Sequence, residues 1–112
     1  MEALDLCLSR LLKAIDEAHG VALVTADHGN ADEMFECDKN GDVKVGKDGN
    51  PKAKTSHTLN PVPCIFYDNF YSDRYAVDTD GSFGLSNVAA TLMNFIGFEA
   101  PDFWDKSMIK IK

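Results

Sequence analysis

Residues 21–30 read VALVTADHGN. Val21 to Thr25 is short, mostly apolar and rich in β-branched side chains, with no polar alternation. Such a run fits a strand covered on both faces, the habit of parallel sheets. Asp27-His28-Gly29-Asn30 then sets two metal-ligand side chains together where a strand would simply turn. In open α/β sheets, ligands sit beyond the carboxyl ends of the strands. Asp27 and His28 are therefore placed to face such a crevice, and Gly29 lets the backbone turn sharply beside them. Carboxylate oxygen and imidazole nitrogen suit Mn²⁺ or Zn²⁺, and carboxylate content favours harder ions.

Working outward, residues 2–19 carry Leu4, Leu8, Leu11, Leu12 and Ile15 at helical spacing. Gly20 stands where a helix C-cap belongs, and His19 reads as a surface residue in the last turn. A helix running directly into an apolar strand is an α/β unit. On the other side of the motif, residues 31–35 read as a short helix with Asn30 as its N-cap.

From Glu36 to Thr55 the composition turns polar, and Asn40-Gly41 and Asp48-Gly49-Asn50-Pro51 bracket the alternating Asp42–Val45. That predicts a surface β-hairpin or small meander. Asp38, Asn40 and Asp42 fall at calcium-loop positions, but Val43 replaces the required glycine and Gly49 the closing glutamate. The loop is not an EF-hand.

The segment 61–67, PVPCIFY, supplies a second apolar strand. His57, in TSHTLNPVP just ahead of it, is a third candidate ligand. Residues 68–84 have no clear period and read as loop. Ser86 reads as the N-cap of a helix over 87–96, with Val88, Leu92 and Ile96 on one face and Gly97 as its stop. The tail, 98–112, is expected to pack over the sheet.

The chain has 112 residues, enough for one domain, and 45% of them are hydrophobic. Acidic residues outnumber basic ones, 18 to 11, for a formal charge of −7. That excludes the basic face of a nucleic-acid module but not an anionic substrate, because bound cations reverse the local field. No stretch approaches the roughly 20 apolar residues of a membrane span. Cys7, Cys37 and Cys64 are odd in number with no CxxC spacing, which reads as reduced thiols in a cytoplasmic protein.

Taken singly, Asp27 reads equally as a cap or turn residue, and His57 as a hydrogen-bonded loop residue. The longer patterns say more. TADHGNADEM followed by TSHTLNPVP resembles the cofactor-independent phosphoglycerate mutases of the alkaline phosphatase superfamily. The DHG signature is shared across the superfamily, whereas SHTLNPVP is particular to the mutases. The helix at 2–19 and GLSNVAATLMNFIGFEAPDFWDKSMI are similar too, so the resemblance covers nearly the whole chain. Asn87 and Ala90 stand where the family often has Asp and Pro, DFWDKSMI lacks a common glycine, and the insert is longer than in many bacterial members.

The resemblance implies the C-terminal portion of an alkaline-phosphatase-like, three-layer α/β/α sheet domain. Residues 36–55 would be an inserted hairpin, and the substrate-binding domain is absent. Asp27 and His28 would ligate the ion that also holds a nucleophilic serine, and His57 the neighbouring ion. The two divalent ions, Mn²⁺ foremost with Mg²⁺, Co²⁺ or Zn²⁺ as alternatives, activate the serine oxygen and neutralise the transferred phosphoryl group. The reaction interconverts 3-phosphoglycerate and 2-phosphoglycerate through phosphoserine, in a cytoplasmic and monomeric enzyme. The nucleophile is expected upstream, so none of these 112 residues is catalytic and the segment alone is expected to be inactive. The other reading is a stand-alone, non-catalytic metal-binding or interaction module derived from this fold.

Overall fold

The computed structural model describes residues 1–112. The chain divides into two compact units, Met1–Ala22 with Phe66–Lys112, and Leu23–Ile65.

The first unit opens with α1, Glu2–Glu17, whose first turn carries Glu2 and Asp5 against the positive end of the helix dipole. Leu8, Leu12 and Ile15, one helical face, are half-buried, whereas Leu4 and Leu11 are each 61% exposed. The helix ends in a Schellman motif: Gly20 N–H bonds Ile15 O (2.8 Å) and His19 N–H bonds Asp16 O (3.0 Å). The left-handed residue is His19, at φ 51°, and not Gly20. The expected stop is thus one residue early, on a side chain for which that conformation costs roughly 1–2 kcal/mol.

Residues 68–84 are not a plain loop. Tyr75–Val77 forms a strand, β3, which pairs antiparallel with the chain's last strand, β4, Ile109–Ile111, in the register Tyr75–Ile111 and Val77–Ile109. The tail therefore adds a strand instead of covering a sheet. Between them, α2 spans Val88–Phe95 and ends on Gly97 at φ 89° in a second Schellman turn.

The face of α2 that is buried differs from the expected one. Leu92 and Ile96 are exposed, and the covered residues are Asn87, Ala90 and Thr91. Hydrogen bonds explain the choice. Thr91 Oγ1 donates to Asn87 O (2.8 Å) and accepts from Met108 N–H (2.9 Å). Asn87 Nδ2 donates to Lys106 O (2.9 Å), and its amide oxygen accepts from Gly84 N–H (2.8 Å). The small core of Tyr75, Ala90, Met108 and Ile109 closes over these bonds. Burying Met108 and Ile109 stabilises the tail by about 1.5–3 kcal/mol each.

The second unit carries the motif. Strand β1, Ala22–Thr25, pairs with β2, Cys64–Tyr67, and Thr25 Oγ1 donates to Pro63 O at 2.7 Å. Both strands are only partly covered, Ile65 being 51% exposed. After β1 the chain makes a single 3₁₀ turn, Asn30–Asp32, with Gly29 at its cap. The short α-helix expected over 31–35 is absent because Asn30, its intended cap, points its amide elsewhere.

Residues 34–54 form three extended arms, the small meander of the two forms the turn signals allowed. Cys37 lies opposite Val43, Val45 opposite Pro51, and Phe35 opposite Ala53. Lys44 N–H bonds Glu36 O, Lys52 N–H bonds Lys44 O, and Glu36 N–H bonds Lys52 O, closing a ring. Gly41 (φ 85°) and Gly49 (φ 79°) supply the left-handed corners between arms. Asp38 Oδ1 accepts from the N–H groups of Asn40 and Asp42, an Asx turn that accounts for the acidic spacing in this loop.

Candidate functional site

The site is built where the loop after β1 meets the loop before β2. Gly29 makes this meeting possible. A Cβ at position 29 would lie 2.8 Å from Asn60 Cβ, 3.0 Å from Asn60 O and 3.1 Å from Pro61 O. Only glycine admits backbone that close. Asn60 Nδ2 donates to Gly29 O (3.4 Å) and closes the contact.

This approach brings two predicted ligands together. The imidazoles of His28 and His57 stack with centroids 4.0 Å apart and planes 11° from parallel. His28 is half-buried and His57 exposed. His28 Nδ1 lies 3.2 Å from Thr58 O. A carbonyl only accepts, so Nδ1 carries the proton and Nε2 keeps its lone pair for an ion.

Asn30 bridges the same two loops. Its Oδ1 accepts from Thr58 N–H (3.2 Å), which turns its NH₂ group toward His57 Nδ1 at 3.4 Å. An NH₂ group only donates, so His57 Nδ1 is the acceptor in this arrangement. Lys54 pairs with Glu33 at 2.9 Å nearby, and that contact holds the Glu33 carboxyl below its ordinary value.

Asp27 is exposed, and its carboxylate has no partner in the chain. It does not cap the turn that follows, so the cap reading of this residue gives way. Thr58 is 5% exposed, and its hydroxyl is buried without a hydrogen-bond partner. An unspent carboxylate, an imidazole with a lone pair and an unpaired hydroxyl fit the oxygen and nitrogen chemistry of a divalent ion. They do not close a site alone: no three His, Cys, Asp or Glu side chains converge in the chain.

Of the three sequence candidates the fold brings His28 and His57 together; sequence reasoning missed Asn30, Thr58 and Asn60, which join their loops. The available signal was asparagine repeated at matching places, in DHGN and in TLNPVP.

These features sit on an α/β scaffold, and the chain belongs to the metalloenzyme superfamily, whose family model matches residues 1–100. The relatives are more particular. A probable 2,3-bisphosphoglycerate-independent phosphoglycerate mutase of Leptospira interrogans is 48% identical over 110 residues, 98% of this chain and 20% of that protein. The 2,3-bisphosphoglycerate-independent phosphoglycerate mutase of Trypanosoma brucei is 44% identical, over 99% of this chain and 20% of its own length. The crystal structure of Leishmania mexicana phosphoglycerate mutase at low cobalt concentration superposes with a TM-score of 0.83 at 44% identity. It covers 99% of this chain and 20% of that one. The chain thus has an alkaline-phosphatase-like α/β fold and spans about a fifth of the curated relatives it matches.

Proposed function

We propose that this chain is the segment of a cofactor-independent phosphoglycerate mutase that supplies three metal ligands. Asp27 and His28 hold one divalent ion, and His57 holds its neighbour. The observation that carries the reading is the junction of the two loops, where His28 and His57 stack across the contact that Gly29 permits. Identity of 44–48% with mutases over nearly the whole chain supports it.

Held by Asp27, His28 and His57, divalent ions, Mn²⁺ foremost, would supply positive charge to offset that of a phosphoryl group; the nucleophilic serine would lie outside these residues. Within the chain, Thr58 O fixes the His28 ring with Nε2 free, and Gly29 keeps the two rings in register; His57 would take up its ion by releasing the Asn30 amide from Nδ1. The intact enzyme interconverts 3-phosphoglycerate and 2-phosphoglycerate, is monomeric and works in the cytoplasm. In it these residues belong to a three-layer α/β/α domain, with 36–55 as an insert.

The test is substitution in the intact protein. Asp27→Asn and His57→Ala should each lower bound Mn²⁺, measured by elemental analysis, and abolish phosphoglycerate turnover. Wild-type turnover in His57→Ala would sink the assignment. The isolated 112-residue segment should show no turnover at any metal concentration.

A further inference from the structure

A cavity of about 580 Å³ lies in the unit that contains α1, α2, β3 and β4, and none of Asp27, His28 and His57 lines it. Its apolar wall is formed by Val21, Phe95 and Ile96, and its polar rim by His19, Arg74 and Asn94. No Asp or Glu lines it, on a chain where acidic residues outnumber basic ones, 18 to 11.

The two basic groups are held in place without a carboxylate. The chain's three ion pairs use Lys52, Lys54 and Lys106, and Arg74 takes part in none. Its guanidinium lies over the Tyr71 ring, 5.0 Å from the centroid, and its carbonyl is tied by Lys112 N–H at 2.9 Å. His19 sits in the left-handed conformation at φ 51° although glycine follows it directly, and its ring stacks on Phe70 at 4.3 Å. A strained residue that displays an imidazole at a cavity rim points to a use for that side chain. An unpaired guanidinium already backed by an aromatic face retains its forked donors for an oxyanion.

We propose that this cavity binds a small carboxylate with an apolar or aromatic body. The carboxylate meets Arg74, with an N–H of His19 beside it, and the body lies against Phe95, Ile96 and Val21. The apolar wall favours such a ligand over a bare inorganic anion. The site is independent of the mutase reading, since it shares no residue with the metal centre.

The test uses the intact protein with 3-phenylpropionate and, separately, inorganic phosphate, each followed by calorimetry and saturation-transfer NMR. Phenylpropionate should bind, with transfer strongest at the ring protons, and Arg74→Gln should weaken it at least tenfold. Ile96→Glu, at a position 67% exposed and therefore tolerant in folding, should abolish binding by placing a carboxylate against the ligand. Turnover and metal content should stay unchanged in both variants. Unaltered binding in Ile96→Glu, no binding of phenylpropionate, or binding of phosphate alone each overturns the proposal.

Discussion

The rings of His28 and His57 stack at 4.0 Å, yet the two residues sit on loops separated by the whole three-armed meander of residues 34–54. The meander returns the chain to the point it left. Lys54 N–H bonds Met34 O (3.0 Å) at its base, so the second loop starts beside the first. Its role in the site is therefore geometric, whatever else its exposed arms contact.

Gly29→Ala should separate the loops. Its new Cβ meets Asn60 Cβ and two carbonyl oxygens at 2.8–3.1 Å, and backbone cannot swing aside as a flexible side-chain tip does. The expected cost is about 1–3 kcal/mol of stability, together with reduced metal retention in the intact protein. Thermal unfolding and elemental analysis read the two effects. Native values for both would mean that the loops do not need this contact.

Much of this was legible in the sequence, and the limits have identifiable causes. The apolar run at 21–25 and the helical spacing of residues 2–19 located β1 and α1, because each is a strong local pattern. β3 was not legible. It is three residues long, only Tyr75 is buried, and its partner Ile109–Ile111 lies far along the chain. Local periodicity carries no trace of such a pairing. The α2 error has a different origin: Leu92 and Ile96 stay outside while Thr91 and Asn87 go in, because their hydrogen bonds to the tail are made there. At the site, residue chemistry singled out His28 and His57, which the fold brings together, whereas the repeated asparagines of DHGN and TLNPVP were only a faint mark of the residues that join the two loops.

Asn30 makes a prediction of its own. Asn30→Ala leaves the Thr58 N–H without its acceptor and should cost about 1–3 kcal/mol. Asn30→Asp restores that acceptor but presents an oxygen to His57 Nδ1, which must then carry the proton. Nitrogen NMR of the His57 ring should show Nδ1 unprotonated in the parent and protonated in the aspartate variant. The same tautomer in both would mean that Asn30 does not orient the ring.

Thr91 tests the tail. Its hydroxyl is fully buried and joins Asn87 O to Met108 N–H. Thr91→Val keeps the shape but removes one buried hydrogen bond to Met108 N–H and one to Asn87 O, so about 1–2 kcal/mol should be lost. Thr91→Ser should recover most of it. Hydrogen exchange at Met108 should accelerate in the valine variant alone; equal exchange in both would place the tail's anchor elsewhere.

Tyr75 gives the pH dependence. Burial, with the Asp68 carboxylate beside it, pushes its phenol up to about 12. Tyr67 is also raised, chiefly by its hydrogen bond to Asp16 (2.6 Å) and then by burial. A raised value means that the folded chain holds the phenol proton more tightly than the unfolded chain does. Stability from Tyr75 is then fully present below about pH 10, the ordinary tyrosine value. It is lost as pH climbs to about 12. A difference of this size corresponds to on the order of 2–3 kcal/mol. Phenolate absorbance of the parent minus Tyr75→Phe should isolate one late-titrating group, and unfolding free energy should fall less steeply with pH in the variant. A difference spectrum with its midpoint near 10 would mean that Tyr75 is solvated and that the core between β3 and α2 is open.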